Sequence, residues 1–352
     1  MKALVLSGGM GTRLRPFTYS MPKQLIPVAN QPVLIHVMDN LRALGISQAG
    51  VVVGDRGDEI AAVLGDGSSI GIEITYIRQD TPRGLAHCVS LARDFLGADD
   101  FVMYLGDVML SEGITEMAER FRANRPAAQV VVQKVTDPRA FGVAELAADG
   151  RVTALVEKPQ HPTSDLAMVG VYFFTPAIHE AVAAIRPSAR GELEITDAVQ
   201  WLVSNNCDVR AEVYTGFWKD TGRVEDVIEC NRQLLDALTP SVPDGVCADS
   251  ELVGPVLIDP TARVVRSRIT GPGVVGAGTV IEDSRIGPYT AIGENCVVSN
   301  ADVADSIVLS GATVRDIVGI HSSVIGRGAA VSSGDGRHRL VVGDHSSVEV
   351  AV

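Results

Sequence analysis

Val274, Val280, Ile286, Ile292 and Val298 stand six residues apart, and Val308, Val314 and Ile320 repeat the step. A period of six matches neither the 3.6 of a helix nor the 2 of a lone strand. It is the mark of a parallel β-helix, in which each aliphatic side chain points into a coil. A small residue follows several of them, as in Ile286-Gly287, Ile292-Gly293 and Ile325-Gly326. The step breaks near Ile269 and Val303, so some coils are expected to carry loops. Upstream, Thr239-Pro240-Ser241-Val242-Pro243-Asp244-Gly245 holds turn residues without periodicity and reads as a linker. At 352 residues the chain exceeds the usual size of a single core. The expected division is a first domain over 1–238, a linker over 239–247 and a hexapeptide-repeat domain over 248–352.

The first domain has another grammar. Apolar runs at Ala3–Leu6, Val51–Val53, Ile72–Ile77 and Phe101–Leu105 read as strands. Between them, 31–45, with Pro32 in a first-turn position and Gly45 at the stop, 58–64 and 84–95 have helical spacing. Such alternation predicts parallel pairing in a doubly wound α/β sheet. From about residue 128, strands with short connections (130–135, 142–146, 152–157, 168–174 and near 209–214) predict a mixed extension of that sheet. Helices are expected near 178–185, 196–205 and 224–238. Ligands of such sheets lie at the carboxyl ends of the strands. Two features fall there: the glycine loop after Leu6, and Asp107 after the strand ending at Leu105.

The loop reads Ser7-Gly8-Gly9-Met10-Gly11-Thr12-Arg13-Leu14-Arg15-Pro16. Glycines let a ligand lie against the backbone, and successive N–H groups converge on an anion. No lysine follows Gly11, which excludes a P-loop, and Leu14 is too large for the third glycine of a dinucleotide fold. By itself the run fits either a polyphosphate loop of another type or an ordinary turn. Charge favours the first. Lys2, Arg13, Arg15 and Lys23 precede the first acid, Asp39, in a chain of net charge −13. The overall charge argues against nucleic acid or an anionic membrane as partner. The local one suits a small, highly charged anion. Five scattered cysteines without a Cys-x-x-Cys pair read as reduced thiols, and the seven histidines show no metal spacing. Only His87 lies inside a stretch used below. No apolar run approaches the roughly 20 residues of a membrane span. The N-terminus lacks a signal pattern, so a cytoplasmic location is expected.

The loop together with Pro22-Lys23-Gln24-Leu25-Ile26-Pro27-Val28 resembles the sugar-1-phosphate nucleotidylyltransferases, and within them the long-form glucose-1-phosphate thymidylyltransferases. The resemblance spans roughly residues 1–235. It implies a Rossmann-like catalytic domain, a left-handed form for the β-helix, dTTP and glucose 1-phosphate as substrates, Mg²⁺ as cofactor and a homo-oligomer. It gives Arg13 and Lys23 catalytic roles. It places Leu6, Gly8, Gly9, Gly11, Thr12, Arg13, Gln24, Gln79, Pro82, Gly84 and Asp107 around the nucleotide. Ile77-Arg78-Gln79-Asp80-Thr81-Pro82-Arg83-Gly84-Leu85-Ala86 resembles the base-binding loop, although Asp80–Arg83 departs from the wording of the short enzymes. Gly142, Glu157, Lys158, Gly170 and Arg190 are expected around the sugar phosphate, on Glu157-Lys158-Pro159 and Arg190-Gly191-Glu192-Leu193-Glu194-Ile195-Thr196-Asp197. Asp107, and Asp220 of Trp218-Lys219-Asp220-Thr221-Gly222, are the expected metal ligands. Read alone, Asp107 is also a turn residue and Glu194–Asp197 a helix cap.

The reaction implied is in-line displacement at the α-phosphorus with loss of pyrophosphate. Alternatives are UTP, ATP or CTP as donor, another hexose 1-phosphate as acceptor, or a non-catalytic regulatory homologue. An acyltransferase tail would use His321, His338 or His345, but nothing near them spells an acyl-donor site. The tail is expected to serve assembly or regulation.

Overall fold

The computed structural model describes residues 1–333, so His338 and His345 lie outside the described residues. The chain divides into two compact units, Met1–Met10 with Leu34–Asp220, and Gly11–Val33 with the chain from Thr221 onward. The first change of unit falls inside the glycine loop, between Met10 and Gly11.

The first unit begins with β1 (Lys2–Ser7), after which the chain enters the second unit for the short β2 (Pro27–Val28) and β3 (Gln31–Pro32). It returns through α1 (Val33–Ala43) to β4 (Gln48–Val53), α2 (Gly57–Leu64), β5 (Glu73–Arg78), α3 (Leu85–Leu91), α4 (Arg93–Leu96) and β6 (Phe101–Leu105). Then come β7 (Val108–Leu110), α5 (Thr115–Asn124), β8 (Ala128–Lys134), β9 (Gly142–Leu146), β10 (Val152–Glu157) and β11 (Leu166–Phe174). The unit closes with α6 (Ile178–Ala184), α7 (Ile195–Ser204), β12 (Val209–Val213) and β13 (Trp218–Asp220). The nine-stranded sheet runs β10-β9-β11-β6-β1-β4-β5, with β8 beside β11 and β12 beside β8. β6, β1, β4 and β5 are mutually parallel, and β11 joins antiparallel to β6. Val5, paired with Val51 on one side and Tyr104 on the other, is fully buried, as expected of a strand covered on both faces. Leu4, Val52, Phe101, Met103 and Phe174 form the core against Val89 of α3, Ile178 of α6 and Val199 of α7.

The mixed Rossmann-like sheet is as expected. Three local details differ. Pro32 pairs with Pro27 in a two-strand hairpin and is not in the first turn of α1. The 84–95 helix is broken at the fully buried Ala92 into α3 and α4. The β7–β13 ribbon and α5 are additions to the expected elements; the ribbon's three-residue strands form only through tertiary pairing.

The second unit holds the 11–33 segment, α8 (Val224–Asp236) and the coils. Three parallel ladders make its sides: Val256, Gly273 and Thr290; Glu251, Arg268 and Arg285; and Cys247, Val264, Ile281 and Val298. This is the parallel β-helix, consistent with the left-handed form. Ser241, inside the expected linker, already bridges Leu257. The coil repeat is 17 residues, seen where Ser267 Oγ accepts from Ser284 N and Ser284 Oγ from Ala301 N. The inward residues Val264, Ile269, Val275, Ile281, Ile286, Ile292, Val298 and Val303 follow steps of five, six and six. Val274 and Val280 are therefore one position out of phase with the interior, and Val274 instead packs with Leu235 of α8. The break expected near Ile269 is a five-residue side present in every coil. Near Val303 one coil is truly shorter, since Val298 pairs with Val314. Each such corner is turned by a left-handed residue (Asp249, Arg266, Asp283, Asn300, φ 45–49°). Ser250, Ser267 and Ser284 follow three of these, and each donates to the carbonyl two residues back.

Arg232 of α8 grips Asp305 with two guanidinium N–H groups, and Ser322 Oγ donates to the same carboxylate at 2.6 Å. Asp305 is 8% exposed, and Arg232, then Ser322, holds its carboxyl below the ordinary range against the opposing effect of burial. A depressed folded-state pKa adds stability above the unfolded pKa and loses it as acid titrates the group. Asp305 has φ 49°, which asparagine tolerates, so Asp305→Asn isolates the charge. We expect that variant to lose about 1–3 kcal/mol at neutral pH in urea unfolding. The difference should close as the pH falls through the carboxyl's titration.

Candidate active site

Asp107 and Asp220 are placed by one turn and one ribbon. Gly106 N donates to Leu6 O at 2.9 Å, closing the end of β6 on the end of β1. A Cβ on Gly106 would stand 2.4 Å from Ser7 Oγ and 3.1 Å from Leu6 O, so only glycine fits. β7 then pairs antiparallel with β13, Val108 opposite Asp220. Asp107, one residue before that pair, and Asp220 thus share one end of the ribbon. Trp218 pins β13 through Nε1 donating to Val169 O at 3.0 Å and an edge contact with Phe141, centroids 5.1 Å apart. Gly170, at φ 91°, lets β11 pass Leu105, whose Cδ1 would be 2.8 Å from an added Cβ. Ser7 Oγ, 3% exposed, has no hydrogen-bond partner among the described residues. No motif singles this serine out.

The base-loop residues lie beside the same strand ends. Gln79 N donates to Val53 O at 2.8 Å. Its side-chain Oε1 would be 3.1 Å from a Cβ on Gly8, and its Nε2 is 3.1 Å from His87 Nδ1. Pro82 is exposed in the loop. Gly84, at φ 98°, lies so close to Leu193 that a Cβ would be 2.4 Å from the Leu193 oxygen. Leu193 N donates to Arg83 O at 2.7 Å and Ala86 N to Leu193 O at 3.0 Å. Two backbone hydrogen bonds therefore stitch the base loop to the Arg190–Asp197 stretch.

That stretch meets the end of β10. Arg190 Nη1 is 3.4 Å from Glu157 Oε1 and 3.2 Å from Glu194 Oε1. Thr196 Oγ1 donates to Glu157 Oε2, and Lys158 Nζ is 3.5 Å from Glu157 Oε1. An added Cβ on Gly142 would be 3.2 Å from Glu157 Oε2. Gly142, Glu157, Lys158 and Arg190 are thus brought together. Glu194 occupies the N-cap position of α7 but makes no capping bond; its carboxylate accepts from Ser188 Oγ at 3.0 Å instead. Burial raises the carboxyl pKa of Glu194 and of Asp197. Helical spacing does not bring this pair together, since Arg190 lies in the turn before α7 and Glu194 at its N-cap.

In the second unit, Gly11 (φ 63°) lies against Lys23, whose Cβ would be 2.8 Å from an added Cβ. The Gly11 carbonyl accepts from Leu14 N at 3.0 Å and Thr18 Oγ1 at 2.8 Å. Arg13 and Thr12 are exposed on the turn that follows. Gln24 is 1% exposed, and its Oε1 has no hydrogen-bond partner among the described residues. Arg15 lies over the Tyr19 ring at 4.9 Å, so its charge is placed by that ring. His321 Nδ1 is 2.8 Å from Ser322 Oγ, whose hydrogen is given to Asp305. This is not an activated nucleophile.

Residues 2–237 match the profile of the nucleotidyl transferase family. The chain belongs to that family. Among the relatives of this nucleotidyl transferase are glucose-1-phosphate thymidylyltransferases from Streptomyces griseus, 56% identical over 76% of both chains, and Streptomyces antibioticus, 53% identical over the same shares. A Bacillus anthracis structure, of a protein assigned as a glucose-1-phosphate thymidylyltransferase and complexed with a sucrose, superposes with a TM-score of 0.63 at 33% identity. It covers 69% of this chain and 98% of that one. Nucleotidyl transferases of this family generally work with a divalent metal. Among the described residues no three His, Cys, Asp or Glu groups gather around one point, and no helix is long and apolar enough to cross a membrane. Two carboxylates at one ribbon end form a donor set suited to Mg²⁺, which prefers few protein ligands with waters and phosphates completing the octahedron.

Proposed function

We propose that this nucleotidyl transferase moves a thymidylyl group from dTTP to glucose 1-phosphate, giving dTDP-glucose and pyrophosphate. The observation that carries this is 56% identity, over 76% of both chains, to a protein named for that activity. The clustered Glu157, Lys158 and Arg190 support it, since a carboxylate and two cations suit sugar hydroxyls and a phosphate.

Arg190 and Lys158 hold the sugar phosphate, and Glu157, steadied by Thr196, accepts from sugar hydroxyls. Gly142 and Gly170 leave room for the sugar. Leu6, Gly8, Gly9, Gly11 and Thr12 line the nucleotide, and Gln24, Gln79, Pro82 and Gly84 line the base. Asp107 and Asp220 would hold Mg²⁺, which when bound supplies positive charge to the triphosphate. A phosphate oxygen of the sugar forms the new bond to the α-phosphorus while the bond to pyrophosphate breaks on the opposite side. The nucleophile is already an anion, so no general base is required. Arg13 and Lys23 offset charge on the departing pyrophosphate, and catalysis is positioning plus neutralisation.

Pyrophosphate release from dTTP, UTP, ATP and CTP, each with several hexose 1-phosphates, tests this. dTTP with glucose 1-phosphate should have the highest kcat/KM. Release with ATP or CTP but neither dTTP nor UTP would refute it.

A further inference from the structure

His87 directly follows the base-loop stretch, and the proposed reaction gives it no task. An amide nitrogen only donates, so Nδ1, 3.1 Å from Gln79 Nε2, is the accepting nitrogen and the ring proton sits on Nε2. Burial, then the Arg83 guanidinium, lowers the ring's pKa, which keeps this neutral form at physiological pH. The neighbouring Cys88 Sγ donates instead to Gly84 O at 3.7 Å, and burial pushes its thiol up to about 12, so it stays uncharged. His87 belongs to α3. With its nitrogen turned to α3, the amide leaves its oxygen toward the glycine loop, 3.1 Å from where a Cβ on Gly8 would be.

We propose that His87 fixes the Gln79 amide as a hydrogen-bond acceptor and so selects a base bearing an N–H on its pairing edge. The inference rests on the reading of Gln79 as a base contact. Thymine and uracil carry N3–H at that edge. Cytosine and adenine carry a bare ring nitrogen, which sets lone pair against lone pair. An unrestrained amide swaps ends to suit either kind; a restrained one does not. His87 is a positioning residue, acting only through Gln79.

The ratio of kcat/KM for dTTP to that for dCTP reads this directly. His87→Leu keeps bulk and removes the acceptor. It should lower the ratio about tenfold to a hundredfold, through a higher KM for dTTP and gained use of dCTP, with kcat on saturating dTTP little changed. His87→Asn sets an amide oxygen near the place of Nδ1 and should recover most of the ratio. If the leucine variant does not fold, His87→Ala takes its place. Gln79→Leu, measured alongside, should lower the ratio at least as far. A collapsed ratio in Gln79→Leu with a wild-type ratio in folded His87→Leu overturns the restraint and leaves the base contact standing. An unchanged ratio in Gln79→Leu overturns both.

Discussion

Asp107→Asn is expected to lower kcat about 10²–10³-fold. The asparagine is nearly the same shape, and Asp107 is 7% exposed at a tight turn, so the fold has little reason to change. What changes is the charge at the ribbon end. Asp220 sits opposite Val108, which brings both aspartates to one end of the ribbon, and a divalent cation held there would offset their like charges. Removing one leaves a weaker site for the divalent ion. The rate should therefore need a higher Mg²⁺ concentration to reach half its maximum, while the thermal midpoint without metal moves little. An unchanged Mg²⁺ titration would refute the assignment.

Gly84→Ala should do comparable damage by another route. At φ 98° any side chain is strained, and here the Cβ would also meet peptide atoms, 2.4 Å from the oxygen and 2.8 Å from the nitrogen of Leu193. Backbone cannot rotate away as a side-chain tip can. The base loop and the Arg190–Asp197 stretch must part, which breaks the two hydrogen bonds between them. We expect a loss of about 1–3 kcal/mol in stability. We also expect higher KM values for both the nucleotide and the sugar phosphate, with kcat/KM down about 10²-fold. Gly191→Ala is the control: φ is 78°, but no atom lies within 4 Å of its Cβ, so it carries the dihedral strain without the collision. A rise in only one KM for Gly84→Ala would show that the stitch does not couple the two sites.

Much of the first unit could be read in advance, because its strands are continuous apolar runs and its helices amphipathic. The loop glycines were legible for the same local reason: a missing Cβ is a property of one residue. The contacts that finish the site were not. Thr196 reaches Glu157 across 39 residues, and Gly84 meets Leu193 across a gap as large as a small domain. Asp220 becomes a neighbour of Asp107 only through a three-residue strand with no propensity signal of its own. The β-helix was recognisable by its period but misphased at Val274 and Val280. Two sides of six and one of five imitate a strict hexad only across the two long sides in succession, and the error shows when the third is included.

That uneven perimeter limits how the tail can evolve. Serine corners and left-handed residues recur at the same 17-residue interval, so each rung is the template on which its successor rests. Excising six residues, although it looks like one repeat, would put a long side over a short one and turn interior aliphatics outward. Shortening or lengthening the prism without inversion requires adding or removing an entire storey.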